Sequence, residues 1–343
     1  MKVGIVGLPR SGKSTIFGLL TGIMNQSRQD SKGMFKVPDD RIDLLTGMFN
    51  PKKTVYAQME IVDLPGLEIG DKAFAKMIAP MRNVDSLLCV VGAYEGEANP
   101  AMDASAFSDE LILADMALAE NRIAKLETSK KRTPEEDSEL SLMKRLSDEF
   151  AEGKSIRQLS LSDEEIDSLR GYGMLSLKPL LMVANLSDIQ FSNKGYQNKD
   201  ELVSFCSDRN IVLIELSAQT EMDISQLPEE EREVFFEEYG IEETGLQKVA
   251  QAVYASLGMI SFFTVGEDEV RAWPIVNGTN AKRAAGKIHT DIEKGFIRAE
   301  TISYDDLVRC KSMAVARTEG TFRLEGKEYI VKDGDIINFR FAI

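Results

Sequence analysis

The chain has 343 residues, enough for two or three domains, and its 43% hydrophobic and 28% charged residues are ordinary for a soluble globular protein. A net charge of −15 at pH 7 argues against a protein that coats nucleic acid without sequence preference. No apolar run reaches the roughly 18–20 residues of a membrane-spanning helix, and the single histidine, His289, excludes a zinc site built on several histidines.

The amino terminus and the cysteines predict a cytoplasmic protein. Residues 1–10 contain neither the long apolar stretch nor the cleavage site of a secretory signal. Cys89, Cys206 and Cys310 show no paired spacing, so we expect reduced, buried thiols. From Phe262 onward, 13 Lys/Arg balance 13 Asp/Glu, and the excess negative charge therefore lies upstream. This neutral carboxy-terminal region is better suited than the rest of the chain to approach an anionic surface.

Strand and helix patterns alternate along the first hundred residues. KVGIV (2–6) is a β-branched run that ends in a glycine-rich turn, and STIFGLLTG (14–22) follows as a helix. YAQMEIVDL (56–64) and SLLCVV (86–91) are two further strands, and the second is apolar enough to be covered on both faces. This order predicts an α/β domain with a doubly wound sheet.

From residue 109 to residue 126 the pattern changes to a helix with one apolar seam. The apolar residues recur at alternating spacings of four and three, at Ile112, Met116, Ala119, Ile123 and Leu126. A polar turn that contains a proline (130–137) separates this helix from a second one, which carries Met143, Leu146 and Phe150 on one side. The pattern predicts an inserted antiparallel helical arm, which either projects from the domain or packs on its surface.

After the arm, strand patterns resume at 178–186 and 211–218 and complete the first domain. An acidic loop (228–240) and a helix that ends near Leu257 follow. The remaining residues form short strand-like pieces between Gly and Asp turns, which is typical of a small, mostly β domain. The predicted domains are 1–105 with 176–260, the arm at 106–175, and the carboxy-terminal domain at 261–343.

Residues 7–14, GLPRSGKS, match the phosphate-binding pattern G-x-x-x-x-G-K-[ST] in full. Glycines allow such a loop to curl until successive backbone N–H groups face the phosphates, and the dipole of the following helix adds to the attraction. We expect Lys13 to reach the β- and γ-phosphates and Ser14 to bind Mg²⁺. The expected nucleotide-binding residues of this loop are Gly7, Pro9, Arg10, Ser11, Gly12, Lys13, Ser14 and Thr15.

Three later segments fit the same chemistry. Asp63-Leu-Pro-Gly66 ends a strand, and G-type P-loop proteins use such an aspartate for the Mg²⁺ shell and such a glycine for the γ-phosphate. Two further segments, each after a strand, fall where residues that read the base are expected: Asn185, Leu186, Asp188, Ser217 and Ala218. The order of the motifs argues against a kinase-like P-loop enzyme.

This order of motifs resembles the Obg-like ATPases of the YchF type. The matching stretches are GLPRSGKST (7–15), VPDDR (37–41), DLPGL (63–67), DELILAD (109–115), VANLSD (183–188) and most of the carboxy-terminal region. The resemblance implies an α/β P-loop NTPase (G-domain) fold with a doubly wound sheet, an inserted antiparallel helical arm and a carboxy-terminal β-grasp (TGS) domain. It also implies a cytoplasmic, Mg²⁺-dependent enzyme that associates with ribosomes through the TGS domain and the arm, with no membrane or DNA partner.

Several departures from the family pattern bear on hydrolysis. Members of this family usually have a threonine, a Mg²⁺ ligand, ten residues before the valine of VPDDR. Here that position is Ser27, which either joins Ser14 and Asp63 as a metal ligand through its hydroxyl or is an incidental loop serine. Leu67 stands where many G proteins have a glutamine that positions water; the YchF-type family shares this leucine, which indicates a different catalytic arrangement and not a loss of hydrolysis. No catalytic residue is identified, and the segments on the γ-phosphate side are short. We therefore expect slow hydrolysis; the alternative is a nucleotide-binding scaffold that does not hydrolyse.

The sequence leaves ATP and GTP open. The whole-chain resemblance favours ATP, whereas Asp188 resembles the aspartate by which G proteins read guanine, and Leu186 would pack on either base. The carboxy-terminal region also contains a group of basic residues: Lys282, Arg283, Lys287, His289, Lys294 and Arg298. These form either a solvated mixed-charge surface or a contact for ribosomal RNA phosphates.

Overall fold

The computed structural model describes residues 1–23, 31–66, 72–94, 98–228, 231–232, 236 and 243–342, and for 72–76 only the backbone. The chain divides into two compact units by its internal contacts. The first unit comprises residues 1–34 and 60–249, and the second unit comprises 35–59 and 250–343. The second unit therefore contains a segment that lies more than 190 residues upstream of its main part. The three-part division expected from the sequence does not contain this pairing.

The strands and helices of the described residues are as follows. The strands are β1 (Lys2–Gly7), β2 (Lys32–Lys36), β3 (Lys53–Val55), β4 (Gln58–Asp63), β5 (Ser86–Gly92), β6 (Leu180–Asn185), β7 (Val212–Leu216), β8 (Met259–Thr264), β9 (Glu269–Val276), β10 (Phe296–Ser303), β11 (Arg323–Glu325) and β12 (Asp335–Phe341). The helices are α1 (Lys13–Thr21), α2 (Asp40–Phe49), α3 (Lys72–Arg82), α4 (Pro100–Thr128), α5 (Pro134–Ala151), α6 (Asp163–Leu169), α7 (Asp188–Ser192), α8 (Lys199–Asp208), α9 (Ala218–Gln226), α10 (Gly245–Ser256), α11 (Ala281–Ile288), α12 (Thr290–Lys294), α13 (Tyr304–Cys310) and α14 (Met313–Thr318).

The first sheet has the strand order β2-β4-β1-β5-β6-β7, and β4, β1, β5, β6 and β7 run parallel. All residues of β6 are buried, as expected for a strand of a parallel sheet that is covered on both faces. The register aligns Gly7 with Val90, and Gly92 with Asn185. The carboxyl ends of these strands therefore meet at one edge, where ligands bind in open α/β sheets.

The inserted helices combine both arrangements that the sequence left open. Early in α4, Phe107 and Leu111 belong to the core of the first sheet, whereas Ala119 later in α4 packs with Met143 and Leu146 of α5. The helix begins at Pro100, with Asn99 as its cap, a few residues before the arm expected from the sequence. The arm is thus a hairpin whose first helix also forms part of the body of the first unit.

Asp115 lies on α4 between these two packing regions. Its side chain is buried and accepts hydrogen bonds from the backbone N–H groups of Leu175 (2.9 Å) and Ser176 (2.7 Å). Burial raises the pKa of this carboxyl. Asp115 therefore connects the arm to the chain that leads into β6.

The second sheet has the strand order β11-β10-β12-β8-β9-β3. It is mixed: β8 and β9 are antiparallel, whereas β12 with β8, and β3 with β9, are parallel. Its core contains Phe262, Ile275 and Phe339 together with the alanines of α11. None of the helices in the described part of the chain is long and apolar enough to cross a bilayer.

Candidate nucleotide-binding site

The phosphate-binding loop joins β1 to α1 and requires glycine at two positions. Gly12 has a φ of 90°, and a Cβ there would lie 2.1 Å from Asn185 Nδ2. A Cβ on Gly7 would lie 2.7 Å from the carbonyl oxygen of Val90. Arg10 also has a positive φ, 64°. Since non-glycine residues rarely adopt that conformation, the backbone at Arg10 is strained, as is common at ligand-binding loops.

Ser11 in the middle of this loop has a buried hydroxyl with no hydrogen-bond partner in the described part of the chain. Its backbone N–H donates to the carbonyl of Leu8 (3.2 Å), which curls the loop. Pro9, Arg10 and Ser14 are exposed, and Thr15 is half-buried. An unpartnered buried hydroxyl in a curled, glycine-dependent loop fits an anionic ligand such as a phosphate.

Lys13 contacts the aspartate that the sequence predicts for the Mg²⁺ shell. Its Nζ lies 2.6 Å from Asp63 Oδ1 and also donates to the carbonyl of Leu64. Both charged side chains are largely buried, at 13% and 11% exposure. Three residues after Asp63, Gly66 is exposed. Lys13, at the start of α1, and Asp63, at the end of β4, thus form an ion pair beside the loop of residues 7–14.

Asn185, at the end of β6, connects the phosphate loop to the segment after β7. Its Nδ2 donates to the carbonyl of Ser11 (3.0 Å), and its Oδ1 accepts from the N–H of Ala218 (2.9 Å). The side chain is 5% exposed, so both bonds are protected from water. The Asn185 amide therefore joins Ser11, in the segment predicted to bind phosphate, to Ala218, in the segment predicted to bind the base.

Asp188 is exposed on the first turn of α7, and its orientation is set by hydroxyl groups. Its Oδ1 accepts from Ser217 Oγ (2.6 Å) and from Thr220 Oγ1 (2.8 Å). These hydrogen bonds lower the pKa of the Asp188 carboxyl, so it is an ionised acceptor at neutral pH. Leu186, in contrast, is 3% exposed and belongs to the core of the first unit, so it presents almost no surface to a base.

Two residues near the site were missed by the sequence reasoning. Thr220 lies two residues beyond Ala218, and its role follows only from the turn that begins α9. Tyr94 donates its hydroxyl to the carbonyl of Arg10 in the phosphate loop. The available signal was that Tyr94 follows the carboxyl end of β5, at the same edge as the loop. That signal does not indicate where the ring points.

The donor set fits a magnesium ion shared with phosphates. Ser14 offers a hydroxyl on the first turn of α1 and Asp63 offers a carboxylate, and Mg²⁺ prefers oxygen ligands with few of them from protein. The described residues contain no group of three or more His, Cys, Asp or Glu that would hold a metal by protein ligands alone. Ser27, the third predicted ligand, and Leu67 lie outside the described residues.

Comparison with known proteins decides the family. A Bacillus subtilis protein named ribosome-binding ATPase YchF is 37% identical over 364 residues, with 100% of both chains covered. A protein of the same name from Escherichia coli O157:H7 is 36% identical and covers 100% of this chain and 99% of its own. This chain belongs to the YchF family. The family resemblance of the sequence motifs is thereby confirmed.

Structure and family models agree with the YchF assignment. The structure of the Schizosaccharomyces pombe YchF GTPase matches with a TM-score of 0.90 at 28% identity and covers 99% of this chain and 97% of its own. Residues 2–122 match a model described as 50S ribosome-binding GTPase. Residues 259–342 match the YchF GTPase carboxy-terminal model, described as a protein of unknown function (DUF933). The expected P-loop fold with an inserted arm and a small carboxy-terminal domain is confirmed.

Proposed function

We propose that this YchF-family protein binds and slowly hydrolyses a purine nucleoside triphosphate with Mg²⁺, and that it binds the ribosome in the cytoplasm as a nucleotide-dependent switch. One observation carries the proposal. The Asn185 side chain joins the phosphate loop, through Ser11, to the base-side segment, through Ala218. Phosphate-binding and base-binding groups are thus at one sheet edge, in the arrangement that a nucleotide requires.

Each part of the site has a chemical role. The backbone N–H groups of residues 7–14 and the amino end of α1 bind the phosphates, and Lys13 neutralises the β- and γ-phosphate charge. Ser14 and Asp63 would hold Mg²⁺. When bound, this ion neutralises charge on the transferred phosphoryl group. Gly66, beyond β4, offers its N–H to the γ-phosphate. The exposed Ser14 hydroxyl and the unpartnered Ser11 hydroxyl support this assignment.

Asp188 is the group on which the choice of base depends. Guanine presents an N1–H and an exocyclic amine on one edge, and an ionised carboxylate accepts from both. Adenine presents an N1 lone pair at that position, and facing it costs about 1–3 kcal/mol. The two hydroxyls both donate to the same oxygen of Asp188, Oδ1. The local chemistry therefore favours GTP, whereas the curated relatives are named ATPases.

Slow hydrolysis follows from the groups near the phosphates. The only histidine of the chain, His289, is far along the sequence in the second unit, where its Nδ1 accepts from the N–H of Asp291 (3.2 Å). The residues assigned to the phosphates and the metal, Lys13, Ser14, Asp63 and Gly66, include no histidine and no glutamine. The attacking water must then be positioned by backbone groups, other water molecules or a partner. Turnover should therefore lie at or below the low end of the ~1–10³ s⁻¹ typical of enzymes.

The second unit offers a basic surface for ribosome binding. Five exposed residues form no salt bridge with any other described residue: Lys282, Arg283, Lys287, Lys294 and Arg298. Three of them lie on α11, whose alanines are buried, so the polar face of this helix is basic. Cations without partners are suited to RNA phosphates, because no intramolecular ion pair has to be broken. The names of the relatives support a ribosomal partner.

A phosphate-release assay with purified protein, with and without ribosomes, tests the enzymatic part. The expected result is slow release by the protein alone and faster release with ribosomes. Release no faster than buffer under both conditions, with binding intact, would instead identify a nucleotide-binding scaffold. Fast multiple turnover by the isolated protein would contradict the proposed dependence on a partner.

Co-sedimentation with ribosomes at several salt concentrations tests the partner. Replacing Lys282, Arg283 and Lys287 by alanine should weaken pelleting and reduce the slope of log affinity against log salt by about 1 per lost phosphate contact. The matched control replaces three exposed lysines on other segments of the same unit, Lys53, Lys311 and Lys332. Equal loss in both triple variants would reject a specific docking surface. Substitution is preferable to truncation after residue 261, which would remove the strand that pairs with β3.

A further inference from the structure

The segment 35–59 carries the VPDDR motif, whose role the sequence alone does not indicate. It leaves the first unit after Met34 and returns at Glu60, and it contributes α2 and β3 to the second unit. The strand β3 pairs parallel with β9, from Lys53 opposite Glu269 to Val55 opposite Arg271. A short segment of the amino-terminal half therefore forms an edge of the carboxy-terminal sheet.

Arg41, the last residue of the motif, is bound by two carboxylates at once. Its Nη1 and Nη2 donate to Asp333 (2.9 and 3.2 Å), and its Nε and Nη2 donate to Asp39 (both 2.8 Å). Bidentate pairs of this kind are among the stronger ion pairs and fix geometry as well as charge. Asp333 Oδ1 also accepts from the N–H of Ser261 in β8 (2.9 Å). Arg41 is thus connected directly to the backbone of the second sheet.

The Arg41 guanidinium lies close to Gly334 and to the ring of Phe263. Gly334 has a φ of 85°, and a Cβ there would lie 3.1 Å from Arg41 Nη1. On another side, the Arg41 guanidinium lies over the Phe263 ring, 5.3 Å from its centroid. The positive φ at Gly334 itself favours glycine, and the aromatic ring adds a cation–π contact to the ion pair.

The other end of the segment leads directly to the phosphate site through one strand. The N–H of Val37, at the start of VPDDR, donates to the carbonyl of Ala57 (2.9 Å). The next residue begins β4, which ends at Asp63, the partner of Lys13. Six residues of strand span about 20 Å. Asp63 is therefore one end of a continuous strand, and the residue just before the other end, Ala57, is hydrogen-bonded to Val37 of the VPDDR motif. A change at Asp63 when a nucleotide binds acts directly on this strand.

We propose that segment 35–59, held in the second sheet by the Arg41–Asp333 pair and β3, couples the nucleotide site to the carboxy-terminal unit. Nucleotide binding at Lys13 and Asp63 changes the second sheet, and a partner bound to that sheet changes nucleotide affinity by the same factor, because coupling between binding sites is reciprocal. The inference rests on the proposed binding of a nucleotide. It adds the segment through which nucleotide binding would alter a surface that binds a partner. Arg41 positions this segment against the second sheet.

Hydrogen–deuterium exchange of the full chain, with and without a non-hydrolysable GTP or ATP analogue and Mg²⁺, tests the coupling. In the wild type, the analogue should alter exchange in peptides that cover β3 and β9, as well as around the phosphate loop. In Arg41→Lys, which keeps the charge but loses the two-carboxylate geometry, the β3 and β9 differences should fall at least two-fold. Nucleotide affinity, measured by calorimetry, should stay within about two-fold, because Arg41 does not touch the site.

Two further variants make the result specific. Asp333→Asn should have the same effect, and it keeps an oxygen that accepts from Ser261, so it provides a second route to the test if Arg41→Lys folds poorly. Lys52→Ala is the matched control, since it breaks a different ion pair of the same segment, between Lys52 and Asp268. These two side chains are 80% and 86% exposed. Its exchange differences should equal those of the wild type.

The outcomes separate the two claims. If calorimetry shows no nucleotide binding to the wild type, the proposed function fails, and the coupling fails with it. If the analogue binds but β3 and β9 exchange as before, the coupling alone is overturned. Unchanged differences in both Arg41→Lys and Asp333→Asn would also overturn it, because the route through this ion pair would then be unused.

Discussion

The two six-stranded sheets of the described residues differ in strand direction and in how far apart along the chain their paired strands lie. In the first sheet, neighbours such as β5 and β6 are buried parallel strands, and the functional residues lie where the strands end. The second sheet has strands of mixed direction, and one of them, β3, comes from more than 200 residues upstream of its partner β9. The first sheet is interrupted by the inserted arm, whereas the second is completed by a borrowed strand.

This difference shows where local patterns suffice and where they do not. In the first sheet, chemistry is carried by short motifs such as residues 7–14, because a loop and a helix end define a phosphate site on their own. In the second sheet, the position of β3 depends on a pairing with no local signature. Substitutions that act on one sheet and not on the other are therefore the clearest tests of the comparison.

The largest effect is expected for Asp115→Ala, which should break the connection between the arm and the first sheet. It would leave the buried N–H groups of Leu175 and Ser176 without an acceptor, at a cost of about 2–4 kcal/mol in the free energy of unfolding. Urea denaturation checks this value. Far-UV signals of the second unit should persist if the two units unfold separately.

Asp109→Ala is the matched control, because Asp109 is exposed on the same helix. Its free energy of unfolding should stay within about 0.5 kcal/mol of the wild type. Similar losses in the two variants would mean that the effect reflects the charge of α4, and that the buried hydrogen bonds of Asp115 contribute little.

A smaller effect is expected for the base preference at Asp188. If Asp188 reads guanine, GTP should bind at least about 10-fold tighter than ATP, which is about 1.4 kcal/mol, and Asp188→Ala should remove the difference. Calorimetry with both nucleotides measures this. Equal or tighter binding of ATP, with Asp188→Ala neutral, would show that adenine is the base and that Asp188 points away from it.

The smallest effect is expected for Tyr94→Phe, which removes the hydrogen bond to the Arg10 carbonyl and keeps the ring. One hydrogen bond is worth about 0.5–1.5 kcal/mol, so triphosphate affinity should fall roughly 2- to 10-fold. The free energy of unfolding should change little, because Tyr94 is only half-buried. An affinity equal to the wild type would mean that the conformation of Arg10 does not depend on Tyr94.

The sequence predicted the parts of the site that depend on local chemistry. The glycines at 7 and 12, Lys13, Asp63 and Asn185 meet at one edge, because each follows or ends a parallel strand of the first sheet. The sequence did not predict how side chains orient one another. Leu186 turned out to be a core residue, since its position after β6 faces the apolar layer. Ser27, outside the described residues, stays a prediction.

The second unit was predictable only in part. Its strands were expected as short pieces between turns, but the four helices α11 to α14 were not, so the mostly β character expected from the sequence is wrong. KTV in β3 is too short to signal a strand. The VPDDR motif was visible in the sequence, but its role depends on Asp333, which lies 292 residues from Arg41. Only the folded chain shows that pairing.

Titration of a non-hydrolysable purine triphosphate with Mg²⁺ into the wild type and into Lys13→Ala tests the central claim most directly. We expect one binding site in the wild type and an affinity roughly 10- to 150-fold lower in the variant, because a charge-assisted contact worth about 1.5–3 kcal/mol is lost. Lys52→Ala should bind as the wild type does. No binding to the wild type, or equal binding to the wild type and Lys13→Ala, would contradict the assignment of residues 7–14 as the phosphate site.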